Sequence, residues 1–151
     1  MKIYIAADHA GFDLKKGLIE YLKSRGIEVI DMGANEVNGD DDYPDFIYPL
    51  AKKVGSEVGA LGIVIGGSGQ GEAIVANKAR GVRAAVYYGG NLEIVRRSRD
   101  HNDSNILSLG ARFMSVEEAK EAVSLWLSTK FPGTDRHQRR HDKIKKIEEQ
   151  G

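Results

Sequence analysis

Leu61-Gly62-Ile63-Val64-Ile65, then Gly66-Gly67-Ser68-Gly69-Gln70-Gly71, then Glu72 to Lys78, is the stretch whose reading decides the fold. The apolar run is too short for a helix and stops abruptly at glycine, which reads as a buried strand. The segment from Glu72 to Lys78 reads as a helix. A strand that passes through a glycine-rich turn into a helix is the repeating unit of a parallel sheet.

Working outward, the same alternation recurs on both sides. Lys2 to Ala7 is a short apolar strand broken by Asp8-His9. Phe12, Leu14, Leu18, Ile19, Tyr21 and Leu22 then recur at helical spacing up to Gly26. Glu28 to Met32 reads as a second strand, and Gly33 to Asp42 as a loop rich in Gly, Asn and Asp. Asp45 to Ser56 is a predicted helix with Phe46, Leu50 and Val54 as its stripe, and Pro49 either kinks it or marks its first turn. Beyond the central unit come a strand at Ala84 to Tyr88, a helix at Asn91 to Arg99 and a strand at Ile106 to Leu109. Ser115 with Glu118 forms a capping box for a helix from Val116 to Leu127. The pattern predicts a single α/β domain over residues 1–151, doubly wound and Rossmann-like, with a parallel five-stranded sheet between helical layers. Asp135 to Gln150 is strongly helical but has no apolar stripe beyond Ile144 and Ile147, so it is expected to protrude and dock on a partner subunit.

Composition narrows the function classes. The 22 basic and 22 acidic side chains cancel, so any grip on nucleic acid or anionic membrane would have to be local. There is no cysteine among the 151 residues, which removes disulfides, thiolate metal sites and cysteine nucleophiles or bases. No apolar run approaches the ~20 residues of a membrane span, and Met1-Lys2-Ile3 leads straight into a strand without a signal-like segment. The expectation is a soluble cytoplasmic protein.

In an open α/β sheet, ligands sit outside the carboxyl ends of the strands. That rule selects Asp8 and His9, the Gly66–Gly71 loop with Glu72, and Arg112. A loop this rich in glycine can turn its N–H groups toward an anion, and the following helix start adds a positive dipole end. It lacks the Lys-Ser/Thr of a Walker loop, because Gly71 is followed by Glu72 and Ala73. The first turn, Asp8-His9-Ala10-Gly11, has too few glycines for a dinucleotide fingerprint. Glu72 in a first helical turn could simply complement the helix dipole. Beside Ser68, backbone donors, Asp8 and His9, it could instead be a base facing donors that stabilise an enediolate. His137 and His141 are four apart but flanked by Arg136, Arg139 and Arg140, which favours an anion over a metal; Arg136 and Arg140 could clamp one phosphate.

These residues resemble a known family. Asp8-His9-Ala10-Gly11, Asp42-Tyr43-Pro44, GGSGQGEAIVANK from Gly66 to Lys78, His101-Asn102-Asp103 and Arg136-His137-Gln138-Arg139-Arg140 are similar to type B ribose-5-phosphate isomerases, a family shared with galactose-6-phosphate isomerase subunits. The resemblance runs nearly end to end. It implies an aldose–ketose isomerase without metal or cofactor that interconverts ribose 5-phosphate and ribulose 5-phosphate. Many members carry a cysteine base where this chain has Gly66, and this chain resembles the branch in which a glutamate, here Glu72, takes the proton. By the same matching, Ser68 and the N–H groups of Gly67, Gly69 and Gly71 hold the enediolate oxygen. His101 or His137, with Asp8, are candidates for opening the sugar ring. His9, Arg112, Arg136 and Arg140 would hold phosphate, and Tyr43 and Asn102 would touch sugar hydroxyls.

Chain order adds an expectation of its own. His101 follows the fourth helix and Arg136 the fifth, so both should lie at the amino edge of their sheet, opposite Glu72. One active site would then combine two subunits of a homodimer or dimer of dimers. Three competitors remain: a hexose 6-phosphate (galactose or allose 6-phosphate) or other pentose isomerase, a non-catalytic phosphate-binding or receiver-like module, and a nucleic-acid binder. Strand three ends in glycines where a receiver needs acids. Zero net charge and the absence of interleaved aromatics oppose a nucleic-acid partner.

Overall fold

The long apolar runs occupy the middle of the sheet, where both faces are covered and a strand can be apolar throughout. The structure, a computed structural model, describes residues 1–151. In chain order its elements are β1 (Lys2–Ala7), a 3-10 turn (His9–Gly11), α1 (Phe12–Ser24), β2 (Glu28–Asp31), α2 (Pro44–Ser56), β3 (Leu61–Gly66) and α3 (Gln70–Ala76). They continue with β4 (Ala84–Tyr87), α4 (Glu93–Asp100), β5 (Ile106–Gly110), α5 (Val116–Ser128) and α6 (Asp135–Gln150). Every ladder is parallel and the strand order is β2-β1-β3-β5-β4. The five-stranded doubly wound α/β fold is therefore present, with the C-terminal helix.

Right-handed crossovers dictate which helix covers which face. The connections β1 to β2 and β4 to β5 step one way along the sheet, and carry α1 and α4 on one side. Those from β2 to β3 and β3 to β4 step the other way, and carry α2 and α3 on the opposite side. Register pairs Ile5 with Ile63 and Ile63 with Leu107, so these residues form one layer against α1, α4 and α5. Tyr4, Ala6 and Val64 point the other way, against Ile47, Leu50 and Val54 of α2. Each fully buried Ile or Leu contributes roughly 1.5–3 kcal/mol relative to exposure. Trp126 of α5 is fully buried, and its indole donates to Ser104 Oγ at 2.9 Å.

Four local expectations need adjusting. Pro44, not Pro49, marks the first turn of α2, where a missing N–H costs nothing; Pro49 lies inside the helix on its exposed side. Ile47 rather than Phe46 heads the buried stripe, and the Phe46 ring lies against Gly33 instead. The helix behind the glycine loop starts at Gln70, because Gly69 adopts the left-handed conformation (φ 78°) that ends the loop. Finally, α6 does pack on its own domain although none of its residues is buried. Gly81 N donates to Glu148 Oε1 at 2.7 Å, Arg80 donates to the Glu148 carbonyl at 3.1 Å, and the His137 ring stacks on His101 with centroids 4.1 Å apart. Polar and ring contacts replace the missing apolar stripe, and Ile144 and Ile147 stay exposed. The capping box is present, with Ser115 Oγ accepting from Glu118 N at 3.1 Å and Glu118 accepting from Ser115 N at 2.8 Å. No helix is long and apolar enough to cross a membrane.

Candidate active site

Strands β1 and β3 are neighbours whose connections leave in opposite directions, so a crevice opens at their carboxyl ends. Asp8 follows β1 on one side of it and the glycine loop follows β3 on the other. The loop is held from below. The Gly66 and Gly67 carbonyls accept from the N–H groups of Ala111 (2.8 Å) and Arg112 (3.0 Å), and Ser108 Oγ donates to the Gly69 carbonyl at 2.7 Å. Ser68 Oγ accepts from Gln70 N at 3.3 Å. With the carbonyls engaged, the N–H groups of Gly67, Ser68 and Gly69 donate to nothing in the chain. They form a preorganised cradle for an oxyanion.

Gly66 explains how a carboxylate reaches that cradle. A Cβ at this position would fall within the Glu72 carboxyl group, so glycine leaves the space that Glu72 occupies. Close approach also brings in two neighbours, because a Cβ on Gly71 would meet the Tyr43 phenol (2.6 Å) and one on Gly67 the Arg112 guanidinium (3.1 Å). Glu72 is only 4% exposed, which removes the surface-dipole reading of a first-turn glutamate. Burial pushes its pKa up and the negative charge of Asp8 adds to the rise, while its own backbone N–H pulls the other way. A carboxylate raised in this way is a better base near neutral pH.

On the other rim, Asp8 accepts from Ala10 N at 3.0 Å. His9 Nδ1 lies 2.6 Å from Asp41 Oδ1, which also accepts the His9 backbone N–H at 3.2 Å. The hydrogen bond to Asp41 raises the His9 pKa; burial and Arg112 oppose the rise, and Asp8 supports it. Ligand atoms of Asp8, His9 and Asp41 lie within 4.8 Å of one another. Chain spacing gave no sign of this cluster, which the fold assembles from residues 32 positions apart. The imidazole nitrogen facing Asp41 is already engaged, and Arg112 stands beside the trio.

A second group gathers at the amino edge. Arg97 Nη1 is 2.8 Å from His101 Nε2, and since guanidinium cannot accept, the imidazole nitrogen is the acceptor. Asn102 Nδ2 donates to the Arg97 carbonyl at 3.4 Å. His137 has its pKa lowered by burial first, then by His101, Arg136 and Arg140. Arg136 and Arg140 are exposed and make no hydrogen bond within the chain. The length of β5, roughly 16 Å for five residues, separates this group from the cradle. Within one chain the fold thus brings together Asp8, His9, Tyr43, Gly67, Ser68, Gly69, Gly71, Glu72 and Arg112. It leaves His101, Asn102, Arg136, His137 and Arg140 apart, as chain order predicts. Sequence reading missed Asp41 and Ser108. The first hides in an acidic loop run, and the second is a lone hydroxyl in an apolar strand.

The chain has well-matched relatives. Residues 3–144 match the sequence profile of a family described as Ribose/Galactose Isomerase. Ribose-5-phosphate isomerase B of Mycobacterium tuberculosis is 41% identical over 148 residues, 98% of this chain and 90% of that protein. The crystal structure of ribose-5-phosphate isomerase B from Mycoplasma genitalium with bound ribulose-5-phosphate superposes with a TM-score of 0.94 at 40% identity, covering 99% of this chain and 97% of that one. The Clostridium thermocellum ribose-5-phosphate isomerase B has a TM-score of 0.90 at 45% identity, with 99% of both chains covered. With the fold, the cradle and the profile in agreement along nearly the whole sequence, this chain belongs to the ribose/galactose isomerase family.

Proposed function

We propose that this protein is an aldose–ketose isomerase interconverting D-ribose 5-phosphate and D-ribulose 5-phosphate through an enediolate, with Glu72 as the base. The observation that carries the role of Glu72 is its buried carboxylate, seated in the space Gly66 leaves open and next to unpartnered N–H donors. Glu72 takes the proton from C2 of the open-chain aldose as the carbonyl electrons move onto O1. The same carboxyl group returns the proton to C1 while O2 becomes the carbonyl and its proton passes to O1. Ser68 and the N–H groups of Gly67, Gly69 and Gly71 meet the negative charge of the enediolate where it develops, so no metal is required. Tyr43 and Asn102 contact sugar hydroxyls, and Asp8 with His101 or His137 opens the ring.

The phosphate is held by His9 and Arg112 of one subunit together with Arg136 and Arg140 of another. Sharing follows from the two half-sites at opposite sheet edges, and makes the active form a homodimer or a dimer of dimers. The names of the relatives support a pentose phosphate substrate, and the ribulose-5-phosphate in the Mycoplasma genitalium structure supports this class of ligand. A cytoplasmic location fits that substrate, because a charged sugar phosphate does not cross a bilayer unaided.

The test is a spectrophotometric isomerase assay over pentose 5-phosphates and hexose 6-phosphates, with and without a chelator. Ribose 5-phosphate is expected to turn over fastest, at the same rate in both conditions. A folded protein that turns over no sugar phosphate would overturn the proposal. Full loss on chelation, restored by a divalent ion, would overturn the metal-free route.

A further inference from the structure

We infer that Asp41 is a positioning residue for phosphate: its carboxylate fixes the His9 ring through Nδ1 and leaves Nε2 free to bind the ligand. Nothing in the family motifs points to Asp41. The case rests on the loop geometry between β2 and α2.

A single oxygen, Asp41 Oδ1, engages both the His9 backbone N–H and the His9 ring, which fixes the ring relative to the start of the 3-10 turn. His9 Nε2 has no partner in the chain. The Asp41 side chain is 8% exposed, and its second oxygen, Oδ2, is buried without a hydrogen-bond donor. A buried carboxylate so poorly served by neutral donors needs a nearby positive charge. His9 is the cation within hydrogen-bond reach, so deprotonating its ring would leave a buried charge uncompensated. The groups acting on His9 are Asp41 and Asp8, which favour its charged form, and Arg112, which opposes it. Arg112 gives the arrangement a purpose. Two cations brought together for one phosphate repel each other, and Asp41 offsets that repulsion from the Nδ1 side of the His9 ring.

The inference deepens the isomerase reading in its kinetic arm, and a spectroscopic arm stands without it. In the intact wild-type protein, the His9 ring signals should titrate with a midpoint above 6.5, the ordinary imidazole value, and inorganic phosphate should move the midpoint further up. Asp41→Asn keeps an acceptor oxygen but removes the charge, so the midpoint should fall. For ribose 5-phosphate the same variant should raise KM about tenfold with kcat changed by less than about twofold. The basic limb of kcat/KM should move to lower pH. Asp41→Glu, which restores the charge, should recover part of the loss. In a His9→Gln background, Asp41→Asn should add almost nothing, because the two residues act as a unit.

A His9 midpoint at or below 6.5 in the wild-type protein would overturn the inference, whether or not any variant folds. So would an Asp41→Asn variant that lowers kcat while leaving KM and the His9 midpoint in place. If wild-type protein has no isomerase activity but its His9 titrates high and responds to phosphate, the functional proposal fails and the Asp41–His9 pairing stands.

Discussion

The two ends of the sheet are built on opposite principles. At the carboxyl end, the glycine loop is tied to β5 through its carbonyls and closes around a buried Glu72 and Asp8. At the amino end, Arg136 and Arg140 extend from a helix with no buried residue. The first region is held in place by hydrogen bonds with its carboxylates buried, which suits groups that must face charge as it develops. The second is solvated and holds its cations on long side chains, which suits recognition of a phosphate whose charge is constant through the reaction. Chemistry is thus expected to depend on the cradle, and affinity on the exposed helix of a neighbouring subunit.

The strongest way to break this division is at Glu72. Glu72→Gln should lower kcat by about 10²–10⁴-fold with little change in KM, and abolish exchange of the substrate C2 proton with solvent. Near-normal exchange would assign the base to another group. Gly66→Ala comes next. Its methyl group would take the space of the Glu72 carboxylate, and displacing the base by about 1 Å should cost about 10²-fold in kcat. An unchanged kcat would mean that Glu72 works from a different position.

On the affinity side, Arg140→Ala should raise KM for sugar phosphates about tenfold and leave the turnover of unphosphorylated sugar unchanged. A kcat effect of the same size would erase the proposed distinction. Mixing Glu72→Gln with Arg136→Ala protein under subunit exchange tests sharing directly. Mixed dimers would carry one doubly defective site and one intact site, so part of the activity should return. Exchange without recovered activity would mean that α6 serves its own subunit.

The smallest effect concerns stability. The raised pKa of Glu72 means that its ionised form costs the folded state stability above that pKa, and that the cost vanishes below its ordinary value of 4.5. Glu72→Gln should therefore raise Tm by a few degrees at neutral pH, with the gain fading as pH falls toward 4.5. Thermal unfolding followed across this range checks both the sign and the pH window.

Much of this protein could be read from its sequence because the informative signals are local. Buried strands of a parallel sheet are apolar throughout, glycine clusters mark the loop, and chain order alone assigns His101 and Arg136 to the edge opposite Glu72. The same local signals put Glu72 directly behind the cradle. They could not tell a carboxylate that decorates a helix dipole from one buried against Asp8, since that depends on what Gly66 leaves empty across the turn. Nor could they pair His9 with Asp41 or place Ser108 beneath Gly69, because such contacts join residues 32 and 39 positions apart. The exposed α6 shows the same limit, as its hold on Gly81 and His101 uses single polar and ring contacts that leave no periodic trace. Periodicity reports which face of an element is buried, and only the tertiary structure decides which side chains meet there and with what charge.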